Sequence, residues 1–120
     1  MKWSLDGGGR ILYESTVCGG LPLFNMARAS MGNLPMESFT GIVNLTANYI
    51  LEGMRNGISM ENSLETAVKE GFAETDSSDD VNGTDSARKT IIVSNALFGT
   101  MLRIKDFKYS GVEPGTHWKA

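Results

Sequence analysis

The chain has 120 residues, 41% apolar and 21% charged, with a net charge of −3 and scattered basic residues, a composition that suits one ordinary globular domain burying roughly two-thirds of its unfolded surface. No apolar run approaches the ~20 residues that span a bilayer, the start MKWSLDGGGR lacks a signal peptide's apolar core, and nothing favours nucleic acid or an anionic membrane as partner. A single cysteine, Cys18, and a single histidine, His117, exclude an internal disulfide and a Cys/His zinc site, and a cytoplasmic location is the expectation.

Residues 1–10 are polar and glycine-rich and read as a flexible segment; the GGG at 7–9 lacks the preceding strand and spaced glycines of a dinucleotide fingerprint. Ile11 to Val17 reads as a strand, broken by Cys18-Gly19-Gly20. Pro22 suits the first turn of a helix running to about Met31, with Gly32 as its stop. Glu37 to Leu45 reads as a second strand, after which Thr46 opens a helix that ends at Asn56-Gly57. Ser59 is a candidate N-cap for a helix carrying Met60, Leu64, Ala67 and Val68 at the helical period, ended by Gly71. Thr84 to Phe98 contains the β-branched run TIIV, yet its length and the flanking Gly83 and Gly99 favour a helix. Asp106 to Val112 reads as a short last strand, and 113–120, with His117 and Trp118, as a tail. The fold class expected is α/β (α+β), a mixed sheet covered by helices, with one domain over 11–112. Tyr49 and the methionines Met26, Met31, Met54 and Met60 are assigned to core or subunit interface.

After the helix ended by Gly71, and running into the next, comes ETDSSDDVNGTDSARK, residues 74–89, with five carboxylates ahead of a lysine. An EF-hand is excluded, because placing Gly83 at loop position six puts Lys89 where a bidentate glutamate must sit. A solvated acidic surface explains the charges, and Asp85 and Lys89 then form an ordinary i,i+4 pair. An active site is the third reading: Lys89 lies between an apolar helix face and the acidic loop, a boundary at which a lysine can move a proton. Periodicity and charge alone prefer the solvated surface. The sequons at Asn44 and Asn82 read as chance.

Three segments carry a resemblance. Ala67-x-x-x-Gly71-Phe72-Ala73-Glu74-x-Asp76, then Asp80-Val81-x-Gly83-x-Asp85-x-x-x-Lys89, is similar to the homoserine dehydrogenase signature. Tyr13 to Pro22 (YESTVCGGLP) resembles that family's YEA[ST]V-x-[AG]G-[LI]P stretch, and Gly41 to Leu51 (GIVNLTANYIL) its GI-x-NGT-x-NYIL stretch. The likeness runs from about residue 11 to 109 in order. Ser77 stands where proline is usual, which loosens a turn, and Leu45 where glycine is usual, near the family's substrate.

The resemblance implies the middle, catalytic-and-dimerisation domain of an NAD(P)-dependent oxidoreductase that interconverts L-homoserine and L-aspartate 4-semialdehyde in threonine, methionine and isoleucine synthesis. It implies that Lys89 and Asp85 are catalytic. Glu74, Asp80 and Asp85 bind substrate, with Glu74 on its ammonium, and Gly71 and Glu74 lie against the cofactor. A sodium-class ion would sit on the backbone carbonyls of Glu14, Val17, Gly19 and Leu21. The family's N-terminal dinucleotide domain is expected in cis or in trans, the chain alone is expected to be a homodimer, and the alternative is a non-catalytic dimerisation or binding module of the same fold.

Overall fold

The computed structural model describes residues 11–32 and 34–115; the readings made for 1–10 and for His117 and Trp118 lie outside them. The chain divides into two compact units, Met1–Pro35 and Met36–Ala120.

In the first unit, helix α1 spans Leu23–Met26 and continues as a π-type turn over Ala27–Met31, stopped at Gly32. Pro22 precedes it as N-cap and has no side chain to offer the free N–H groups. Glu14 supplies the acceptor instead: its Oε1 takes the N–H of Phe24 at 2.6 Å and its Oε2 that of Asn25 at 3.1 Å. Phe24 and Val17 are buried, and the ring of Tyr13 meets Phe24 edge-on with centroids 5.2 Å apart. The expected strand over 11–17 is not formed. Residues 14–17 make a turn, with the Val17 N–H on the Glu14 carbonyl, and that turn delivers the Glu14 carboxylate to the helix end.

The second unit is built on helices. Residues 37–44 run without regular structure into α2, Leu45–Arg55. Asn44 caps α2, its Oδ1 accepting from the Ala47 N–H at 2.7 Å. Ser59 caps α3, Met60–Lys69, through the Asn62 N–H. The two helices pack closely because Gly53 faces Ser63: a Cβ at Gly53 would stand 3.0 Å from the Ser63 Cβ and closer still to its hydroxyl. Ile50, Ser63 and Ala67 are buried at this contact. At its far end Tyr49 Oη donates to Glu70 Oε2 at 3.0 Å, a bond that raises the phenol above its ordinary value, and the ring lies 5.4 Å from Phe72. A one-turn helix α4, Ser78–Val81, and the long α5, Thr84–Leu97, complete the unit, with Ala87 and Val93 of α5 buried.

The last expected strand is likewise absent. Ile104–Asp106 is a 3-10 turn, and the chain beyond it lies against the α4–α5 junction, where the Val112 N–H donates to the Val81 carbonyl at 2.8 Å. No strand forms among the described residues, so the expected mixed sheet has no counterpart there. A strand exists only through a ladder to a neighbour, and segments 11–17, 37–44 and 107–112 find none, although the exposed Phe39 and Ile42 have the composition of a paired strand. Of the methionines, Met26 and Met31 are exposed, while Met54 and Met60 are half-buried beside the α2–α3 contact.

Candidate functional site

The acidic stretch is not uniformly solvated. Asp85 opens the first turn of α5, where a carboxylate complements the helix dipole, and one turn on its Oδ2 meets Lys89 Nζ at 2.7 Å. Both side chains are about a quarter exposed, which sets the pair apart from Arg88 and Asp79, also in contact but more than half exposed and of little energetic weight.

Asn44 extends the pair. Its Nδ2 donates to Asp85 Oδ2 and to Asp80 Oδ1, each at 2.7 Å, while its Oδ1 caps α2. One buried amide, 5% exposed, therefore joins the starts of three helices and holds two carboxylates within reach of each other. Two carboxylates and one ammonium leave the group with one negative charge, so it suits a cationic ligand group. Asp85 Oδ2 receives both Asn44 and Lys89, whereas Asp85 Oδ1 takes part in none of these bonds.

Three of the expected site residues, Asp80, Asp85 and Lys89, are thus brought together. Glu74 is not among them: its side chain is exposed and outside this network. Its carbonyl is fixed, because the buried Ser77 donates its hydroxyl to it. The serine standing where proline is usual thereby ties the turn by a hydrogen bond, against the loosening expected. Asp76 accepts from the Ser78 N–H at 3.2 Å, and Ser78, chiefly through its hydroxyl and then through that N–H, holds the Asp76 carboxyl below its ordinary value. Gly71 has φ +79, the left-handed conformation that ends α3, with the N–H of Phe72 on the Ala67 carbonyl. Helix termination is reason enough for glycine there, and a Cβ would meet nothing within 4 Å, so the position is open to close approach.

Asn44 is the residue that reading the sequence missed. It was legible only as an asparagine ahead of a helical pattern, a cap signal. In the folded chain its amide is buried and fully bonded.

The implied cofactor and cation can be tested against the residues. A pyrophosphate needs a helix N-terminus with free N–H groups and no competing charge. The Glu14 carboxylate already takes the first N–H groups of α1, Asn44 caps α2 and brings Asp80 and Asp85 beside it, and α3, α4 and α5 begin with Glu61, with Asp79 and Asp80, and with Asp85. These helix starts do not fit the pyrophosphate; only the open approach at Gly71 fits a ligand lying alongside. For the cation, no group of three or more His, Cys, Asp or Glu is placed to hold a metal among the described residues. The backbone carbonyls are the right donor type for a hard cation. Two of the four already accept bonds, Glu14 from Val17 N–H at 3.4 Å and Leu21 from Leu23 N–H at 2.8 Å, each with a second lone pair remaining.

Among the described residues no helix is long and apolar enough to cross a membrane. A family model described as homoserine dehydrogenase matches residues 22–119. The chain is 38% identical over 101 residues to the homoserine dehydrogenase of Methanocaldococcus jannaschii, covering 83% of this chain and 30% of that protein. It is 31% identical over 100 residues to the NAD(+)-dependent homoserine dehydrogenase of Pseudomonas canavaninivorans, covering 83% and 28%. Among solved structures, homoserine dehydrogenase from Thermoplasma acidophilum superposes with a TM-score of 0.84 at 39% identity over 98% of this chain and 37% of that one. That from Thiobacillus denitrificans gives 0.80 at 31% identity, over 91% and 26%. The chain therefore spans between about a quarter and just over a third of the length of these relatives. Matched over most of its own length by both sequence and structure, the chain belongs to the homoserine dehydrogenase family.

Proposed function

We propose that this chain is the substrate-handling and proton-handling portion of a homoserine dehydrogenase, interconverting L-homoserine and L-aspartate 4-semialdehyde with NAD(P) on the route to threonine, methionine and isoleucine. The observation that carries the reading is the Asp85–Lys89 pair, largely but not fully withdrawn from water and tied to Asp80 through Asn44. An i,i+4 ion pair needs no buried amide behind it. A site that must present one ammonium group at a fixed position does.

Lys89 gives a proton to the C4 oxygen of the semialdehyde or takes one from the C4 hydroxyl of homoserine. Asp85 holds Lys89 through Oδ2 and offers Oδ1 to the substrate. Glu74, exposed and outside the network, accepts the α-ammonium, for which an ionised carboxylate is the natural acceptor. Asp80 adds the negative charge that favours a zwitterion entering ammonium first. Gly71 and Glu74 would lie against the nicotinamide cofactor, which would supply the hydride chemistry when bound. The carbonyls of Glu14, Val17, Gly19 and Leu21 would hold a sodium-class ion.

The unpaired segment 37–44, with Phe39 and Ile42 exposed, enters a mixed sheet completed in a homodimer. That same exposed apolar row favours a second reading, a dimerisation module without chemistry of its own. A homoserine-dependent reduction assay with NAD and NADP separates the two, run on this sequence within a protein of its relatives' length. Turnover that is lost on substitution of Lys89 supports the enzyme, and turnover indifferent to Lys89 supports the module.

A further inference from the structure

We infer that Asn44 is a positioning residue for Lys89, acting through Asp85, and that its helix-capping role is separable from this one. The inference rests on the proposed role of Lys89 and adds to it the residue that fixes where the ammonium stands.

A primary amide has two N–H bonds and one carbonyl. Asn44 spends both N–H bonds on carboxylates, at 2.7 Å to Asp80 and 2.7 Å to Asp85, and its carbonyl on the Ala47 N–H at 2.7 Å. Each bond fixes the amide plane, and the residue is only 5% exposed, so the side chain has no alternative orientation that water could satisfy. Capping alone needs the carbonyl oxygen and nothing else, and serine, threonine or aspartate would serve as well. The two donated bonds are what asparagine adds. They act on carboxylates that would otherwise repel each other, and one of them falls on the oxygen that also holds Lys89 Nζ. Without that bond Asp85 is free to turn toward solvent, as exposed i,i+4 partners do, and Lys89 follows it.

The test reads Lys89 directly and does not depend on turnover. The 120-residue chain is acetylated with a trace of acetic anhydride, and the rates at Lys89, Lys69 and Lys105 are compared by peptide mass mapping in wild type, Asn44→Ser, Asn44→Ala and Asp85→Asn. Asn44→Ser keeps a neutral cap but is too short to bridge the carboxylates. It is expected to speed acetylation of Lys89 about fivefold, the factor equivalent to roughly 1 kcal/mol, the net worth of one hydrogen bond, with Lys69 and Lys105 unchanged. Asp85→Asn is expected to speed it at least as much, and Asn44→Ser to add nothing on top of Asp85→Asn. Asn44→Ala is expected to match Asn44→Ser at Lys89 while also lowering the melting temperature through the lost cap. A Lys89 rate unchanged in Asn44→Ser, or a rate unchanged in Asp85→Asn, overturns the inference. So does an equal rise at all three lysines, which marks a structural role only. The expected rates, joined to an absence of homoserine-dependent turnover in a protein carrying this sequence at the length of its relatives, would sink the enzymatic reading and leave Asn44 as the positioning residue; turnover in that protein with an unaltered Lys89 rate would do the reverse.

Discussion

Substituting Gly111 with alanine probes the seat on which the site rests. Gly111 lies against the α4–α5 junction, and a Cβ there would stand 2.7 Å from Asn82 Cα and 2.8 Å from Asn82 C, and closer still to the Val81 carbonyl oxygen. All three are backbone atoms, so no rotamer change relieves the clash, and residues 110–112 must lift away. Lifting breaks the 2.8 Å bond from Val112 N–H to the Val81 carbonyl, about 1 kcal/mol. It also exposes much of Val112, now 8% exposed, for which full burial contributes ~1.5–3 kcal/mol. The expected loss is about 2–4 kcal/mol. For a chain of this size it corresponds to a fall in melting temperature of roughly 6–20 °C. Thermal unfolding followed by circular dichroism at 222 nm measures it. Gly19→Ala, where a Cβ meets nothing within 4 Å, is the control and is expected within ~0.5 kcal/mol of wild type. Because the same junction carries Asp80 and Asp85, Gly111→Ala is also expected to reduce any turnover. A melting temperature for Gly111→Ala equal to that of Gly19→Ala would refute the packing of 110–112 on the junction.

Other outcomes follow from individual contacts. Ser63 Oγ is buried without a hydrogen-bond partner among the described residues, so Ser63→Ala is expected to be neutral or stabilising by up to ~1 kcal/mol. Gly53→Ala is expected to destabilise by about 1–3 kcal/mol through overpacking, and the loss should shrink in a Ser63→Ala background; additivity in urea unfolding would contradict the α2–α3 contact. The Asp76 carboxyl is held low by Ser78, so its contribution is fully present above the unfolded value and is lost as pH falls through the depressed folded one. The stability gap between wild type and Asp76→Asn should therefore be constant near neutrality and narrow as pH falls below the unfolded value of about 3.8; a gap that does not narrow in acid would show that the carboxylate does not matter. Glu74→Ala is expected to raise KM for homoserine with little change in kcat, measured by steady-state kinetics, and a fall in kcat at unchanged KM would remove Glu74 from ammonium binding.

The helices were legible because their signals are local. Ser59 and Gly71 bracket α3, and the flanking glycines outweighed the β-branched TIIV in α5. The strands were not legible in the same way. Ile11 to Val17 and Glu37 to Leu45 have strand composition, but a strand needs a partner, and composition cannot say whether one is present. The one-turn α4 was hidden inside a run read as loop, since four residues carry no period. Within the site, Asp85 and Lys89 were visible as an i,i+4 pair. Their link to Asp80 was not, because it passes through Asn44, separated by 36 and 41 positions from the carboxylates it holds. Glu14 shows the converse. It was picked for its backbone carbonyl, and its carboxylate proved to be the cap of α1, a helix whose own N-cap proline cannot supply one.

Lys89 as a proton carrier and Lys89 as a mere counter-charge to Asp85 differ in what its removal does to turnover. The deciding comparison is kcat for homoserine oxidation by Lys89→Ala against wild type, in a protein carrying this sequence at the length of its relatives, with the fold checked by circular dichroism. Proton transfer by Lys89 requires a fall of ~10²–10⁴-fold in kcat, the usual worth of a positioned acid–base group, with a smaller change in KM. Full kcat in a folded Lys89→Ala protein would contradict it and leave Asp85 and Lys89 as an ion pair of α5.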